Sequence, residues 1–189
     1  MNLLPFPTPA GFGPWRISSS SDPASLRIVD GLGRFREHGP HYSRRSPGSK
    51  TFTGVGREVV LVTECGRAVW AVVLQKTPPR KGSGSSRGRT GAPDNHVKWV
   101  FRNMMFRNLG AGLSSELIRW AVGATHIVWV RKYGAPPPVR MRTEVNLRKV
   151  RSTNPGYCYQ MAGWTKGQVK RGLLHLYEPT RSGQKVTVG

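Results

Sequence analysis

Val97-Lys-Trp-Val-Phe-Arg-Asn-Met-Met-Phe106 leads without a break into Arg107-Asn108-Leu109-Gly110-Ala111-Gly112-Leu113-Ser114-Ser115. The first segment is dense in aromatic and β-branched residues and reads as a strand. Two glycines in three residues follow, and then a helix from about Ser115 to Tyr133. Its Leu117, Ile118, Ala121, Val122, Thr125, Val128 and Trp129 recur at three- and four-residue spacing, which gathers them on one face. Gly134 and Pro136-Pro137-Pro138 stop it. From Val139 to Asn146 the pattern changes to strict alternation. Val139, Met141, Thr143 and Val145 form one face of a strand, and Arg140, Arg142, Glu144 and Asn146 form the other. Strand, glycine turn, helix, strand is the unit from which the fold class follows.

Upstream, Glu58 to Glu64 and Arg67 to Leu74 are apolar runs around Cys65-Gly66, which predicts a hairpin. Both runs are almost continuously apolar, as expected of a sheet covered on both faces. Downstream, Asn154-Pro155-Gly156 opens a short helix, Tyr157 to Ala162. Two short closing strands are expected around Gln168–Lys170 and Leu173–Tyr177. The expectation is an α/β (α+β) domain over about residues 36–180, with a central mixed sheet flanked by helices. Residues 1–35, rich in Pro, Gly and Ser, read as a flexible N-terminal arm. Residues 76–98 read as a basic Gly/Ser-rich loop, and 181–189 as a C-terminal tail.

The chain has 189 residues, 30 Lys plus Arg against 9 Asp plus Glu, and a formal net charge of +21. A field this positive on one small domain selects polyanionic partners. It is far outside the roughly 2–8 charges of an ordinary soluble domain. Nucleic acid is the leading partner. Arg44 and Arg45, with Arg80, Lys81, Arg87 and Arg89 of the basic loop, are the candidate phosphate contacts. No stretch of about 18 apolar residues is present, so no membrane-spanning helix is expected. Two cysteines, Cys65 and Cys158, exclude a disulfide scaffold. With no signal-like N-terminus, they point to reduced thiols in a cytoplasm.

The glycine turn has two readings. It is either a strand–helix connection that needs positive φ, or a phosphate cradle in which backbone N–H groups and a helix N-terminus meet an anion. The order and spacing of Arg107-x-x-Gly110-x-Gly112, followed by a strand and Asn154-Pro155-Gly156-Tyr157-Cys158-Tyr159-Gln160-Met161-Ala162-Gly163-Trp164, resemble the GNAT acyltransferase superfamily over about residues 57–178. The resemblance implies acetyl-CoA or a related acyl donor, held by Arg107, Asn108, Gly110, Gly112, Ser114 and Ser115. It implies Tyr159, five residues before Trp164, as the acid that protonates the leaving thiolate.

A narrower resemblance is to the phage Mom proteins, GNAT-like enzymes that hypermodify adenine in phage DNA. It rests on His41-Tyr42-Ser43, Ser114-Ser115-Glu116, Val145-Asn146 and the helix from Tyr159 to Trp164. Asn146 stands where that family has Asp, so a carboxylate is missing. The resemblance implies a phage or prophage protein that transfers an acyl-derived group to the exocyclic amine of adenine in double-stranded DNA, with the base flipped out of the stack. It also implies iron at His41 and Tyr42. On the residues alone, Glu144 is either a base at the substrate or one partner in a salt-bridged strand face. Two other functions stay open: a conventional N-acetyltransferase acting on a small amine or a protein, and a non-catalytic nucleic-acid-binding module.

Overall fold

The computed structural model describes residues 12–43, 46, 48–77, 98–150 and 152–180. In chain order the elements are β1 (Trp15–Ser18), α1 (Pro23–Asp30), a 3-10 turn (Gly33–His38), β2 (Arg57–Thr63), β3 (Ala68–Thr77), β4 (Lys98–Asn108), α2 (Ser114–Tyr133), β5 (Met141–Asn146), α3 (Tyr157–Met161), β6 (Thr165–Lys170) and β7 (Leu173–Tyr177). The seven strands form one open sheet in the order β1-β2-β3-β4-β5-β7-β6. Only β4 and β5 are parallel, and α2 is the crossover between them. The architecture is therefore mixed α/β, as expected. None of the described helices is long and apolar enough to cross a membrane.

The β2–β3 hairpin is the centre of the molecule. Its residues alternate between two cores because successive strand side chains point to opposite faces. Val59, Leu61, Trp70, Val72 and Leu74 pack on one face with Ile118, Ala121 and Trp129 of α2. Val60, Val62, Val69 and Ala71 pack on the other with Ile28 and Val29 of α1. Every residue from Val59 to Thr63 and from Ala68 to Leu74 is buried.

The N-terminal segment differs from its expectation. Residues 15–38 are a strand, a helix and a 3-10 turn rather than an arm. The Asp22 carboxylate caps α1 by accepting from the Ala24 N–H, Pro23 starts the helix, and Gly31 ends it in the left-handed conformation. Trp15 is 2% exposed and donates its indole N–H to the Leu117 carbonyl at 3.0 Å. Arg44, Arg45 and the loop arginines and lysine at 80, 81, 87 and 89 lie outside the described residues, as do residues 1–11 and 181–189.

Candidate active site

The site begins with an irregularity in β4. Its register with β3 shifts between Ala71 and Val72, so that Ala71 faces Met105 and Val72 faces Asn103. A bulge of this kind swaps the faces that later residues present. Before it, Phe101 points into the α2 core. After it, Phe106 does so, and Met105 turns toward α1. Asn103 secures the bulge, because its side-chain amide donates to the Ala71 and Met105 carbonyls, both at 3.0 Å.

On its other edge β4 pairs with β5 only at Phe101–Met141, Arg102–Arg142 and Asn103–Thr143. Both strands continue, to Asn108 and Asn146. The sheet therefore splits where the bulge lies. The opening is a cavity of about 160 Å³ whose walls include Asn103, Thr143, Glu144, Cys158, Tyr159 and the loop residues His41 to Ser43.

Tyr159 forms the floor. Gly156 starts α3 at φ +80, and a Cβ there would meet the Leu176 side chain at 2.7 Å. The close approach of α3 to the sheet thus needs a glycine, and it turns Tyr159 inward. The phenol donates to Asn103 Oδ1 at 2.6 Å. The Thr143 hydroxyl donates to the same residue, at 3.2 Å from the Asn103 carbonyl and 3.4 Å from Oδ1. Tyr157, two residues away, points outward and is 53% exposed. Burial pushes the Tyr159 hydroxyl well above the ordinary phenol range, and the nearby Cys158 reinforces it. Burial likewise raises the Cys158 thiol and the Tyr42 phenol.

His41 and Tyr42 do come to the cleft, with ring centroids 4.4 Å apart. Burial, and then the Arg107 guanidinium, lowers His41 to about 4, so the ring is neutral at neutral pH. Its Nδ1 accepts the Ser43 backbone N–H at 3.2 Å, which puts the ring proton on Nε2. A metal-ligating histidine normally donates its second nitrogen rather than accepting there. The pair therefore does not fit iron as the resemblance implied, and it is better suited to hydrogen bonding.

Arg107 is also placed differently from its expected role. It is 8% exposed, and its guanidinium donates to the carbonyls of Val29 (3.0 Å), His38 (3.1 Å) and Gly39 (2.7 Å). With those donors engaged it holds the His41 loop against α1 instead of reaching for a phosphate. Asn108 is a scaffold too. It donates to the Gly112 carbonyl and Ser114 Oγ, and it accepts from the Ala111 N–H at 2.8 Å.

The glycine turn itself keeps its expected form. Gly110 and Gly112 have φ of +87 and +138, conformations that side chains rarely adopt. Nothing stands within 4 Å of where a Gly112 Cβ would be. The N-cap of α2 is Leu113, which has no side-chain group to close the helix start. The cation beside this turn is Arg67, whose Nη1 would lie 3.6 Å from a Gly110 Cβ. Sequence reasoning missed Arg67 because it belongs to the hairpin, forty residues away. Ser114 and Ser115 sit in the first turn of α2, and Ser115 is buried.

Glu144 lies at the rim in two ion pairs, with Arg102 at 3.3 Å and Arg142 at 3.1 Å. Asn146 does not line the cavity, and its side chain accepts from the Arg148 N–H at 3.0 Å. Asn103 and Thr143 are the residues that sequence reasoning undervalued. Asn103 was legible as a site-facing or phosphate-contacting polar position in an apolar strand, without its role of holding Tyr159, and Thr143 only as part of the buried face. Comparison with family models, with curated proteins and with solved structures finds no match to this chain.

Proposed function

We propose that the protein is a group-transfer enzyme of the GNAT type, acting on the exocyclic amine of adenine in DNA. The observation that carries this reading is the Tyr159 phenol. It holds its proton at the floor of a cleft made by splitting a parallel strand pair, and the open glycine turn and helix start follow directly from one of those strands. An acyl thioester with its phosphates at Gly110, Gly112, Ser114 and Ser115 would lie along that strand, with Arg67 supplying the charge that Arg107 does not.

Tyr159 then serves as general acid. As the new C–N bond forms and the C–S bond breaks, the phenol gives its proton to sulfur. The proton shed by the nitrogen restores it. Tyr42, Cys158, Tyr159 and His41 are all uncharged at neutral pH, and the carboxylate on the cleft wall, Glu144, is held in ion pairs with Arg102 and Arg142 rather than left as a base. An alkylammonium acceptor needs a base to strip its proton before it can attack. A purine amine is already neutral and needs none. This favours a nucleobase over a small amine or a protein lysine, and the charge of +21 favours it again. Metal chemistry has no part in this reading.

The test is expression in a bacterial host, digestion of resident plasmid DNA to nucleosides, and mass spectrometry. A new adenine-derived peak that disappears in Tyr159→Phe is expected, and its mass identifies the transferred group. Saturable thioester turnover on free amines, with unmodified DNA, would instead establish a conventional N-acetyltransferase. Salt-sensitive DNA binding with neither activity would establish a binding module.

A further inference from the structure

Among the described residues, four buried side-chain nitrogens have no hydrogen-bond partner: Arg102 Nε, Arg142 Nε, His175 Nδ1 and Gln160 Nε2. The first three belong to one cluster. Arg102 and Arg142 are register partners on β4 and β5, and Glu144 and His175 are register partners on β5 and β7. Register partners project to the same side of a sheet, as do residues two apart on one strand. All four side chains therefore share the face opposite Thr143 and Val145.

The charges do not balance. Two guanidinium groups stand side by side on adjacent strands and share one carboxylate, with one terminal nitrogen each on Glu144. A net positive charge remains, along with two buried Nε–H groups that nothing accepts. An unmet buried donor is costly, and a charged one more so. A fold seldom keeps two such donors together without use for them. The Arg102 and Arg142 side chains as a whole are 23% and 32% exposed, while their Nε atoms are covered, so an anion reaches the Nε–H groups only as these side chains shift.

The geometry points to a phosphate-binding site made by Arg102 and Arg142 at the rim of the cleft, with His175 as a third contact. A guanidinium presents its Nε–H and a terminal N–H as a parallel fork, which matches two oxygens of one phosphate. Here each fork has its Nε tine free. Glu144 is the resident stand-in for the anion and keeps the two arginines aligned. The phosphate belongs to a nucleic-acid backbone or to a free phosphorylated molecule. Because Glu144 also lines the cleft, either source would sit beside it. The site does not depend on group transfer.

Its test uses the full chain, labelled with nitrogen-15. The two Nε–H resonances are assigned by their loss in Arg102→Lys and Arg142→Lys. Inorganic phosphate is titrated against chloride at equal ionic strength. Both resonances should move together and saturate with phosphate, and remain in place with chloride. Glu144→Gln removes the competing carboxylate and should lower the half-saturating phosphate concentration about threefold or more. A short single-stranded oligonucleotide that saturates the shifts at about tenfold lower concentration identifies a backbone as the source. Saturation at equal concentrations identifies a free phosphorylated molecule. Identical responses to phosphate and chloride, or weaker phosphate binding in Glu144→Gln, overturn the site. No readout requires turnover, so a failure of the proposed reaction and a failure of this site are separate results.

Discussion

The two halves of the sheet are built on different rules. In β2 and β3 every central position is apolar, both faces are covered, and each strand is paired along its length. From β4 to β7 polar residues enter the sheet, pairing breaks off, and arginines occupy positions that hydrophobes hold elsewhere. The first half supplies the free energy. The second half uses some of it to hold a bulge, a split and a protonated phenol in place. Sites that need exact placement of polar groups are commonly carried by a rigid neighbour in this way.

Trp70 joins the halves, so its loss should be the most damaging change. It is fully buried, donates to Thr125 Oγ1 at 2.9 Å, and packs against Phe106, Tyr159 and Trp164. Trp70→Ala should cost about 3–5 kcal/mol in urea denaturation. If the halves were independent, the cost would appear in one of two separable transitions. A single transition, moved as a whole, is expected.

Arg107→Gln should come next, at about 2–3 kcal/mol, since three carbonyls lose a charged donor. Loss of that neighbouring charge should also move His41 upward from about 4. Both effects follow from a framework role. A guanidinium that served only a ligand would leave stability unchanged.

The pH dependence tests the same loop more gently. His41 titrates near 6.5 when unfolded and near 4 when folded. Between those values the unfolded chain binds the extra proton, so stability falls as pH drops from about 6.5 to about 4 and levels off below. In His41→Gln this contribution is gone. The difference between the two proteins in urea midpoint should change only inside that window.

These contrasts also explain what was legible in the sequence. The hairpin, α2 and β5 could be read directly because burial on a regular element leaves a period of two or 3.6. The helix at Pro23–Asp30 had its signals, Asp22-Pro23 at the start and Gly31 at the end, but the serine run beside them read as disorder. Arg107 was not legible at all. Its partners lie 68 to 78 residues away, and a strand-end arginine before a glycine turn looks the same whether it faces a phosphate or a carbonyl. Tyr159 was marked only by the resemblance; its place on the cleft floor follows from α3 and Gly156. The acceptor that holds it, Asn103, depends on a bulge that leaves no periodic trace.

The smallest expected change in stability is Tyr159→Phe, and it separates the two halves most sharply. The ring keeps its edge contacts with Trp164 at 5.0 Å and Phe106 at 6.1 Å. Asn103 Oδ1 keeps the Thr143 hydroxyl within 3.4 Å. Only one hydrogen bond is lost, worth about 1 kcal/mol. Trp70 and Tyr159 touch each other, yet removing the indole should unfold the protein long before it reveals anything of chemistry. Removing the hydroxyl should leave a folded protein that makes no new nucleoside. A Tyr159→Phe protein as unstable as Trp70→Ala would mean that the phenol holds the split sheet together. The raised hydroxyl would then be a consequence of packing, and the acid would have to be sought elsewhere in the cleft, with Cys158 the next group in place to give a proton.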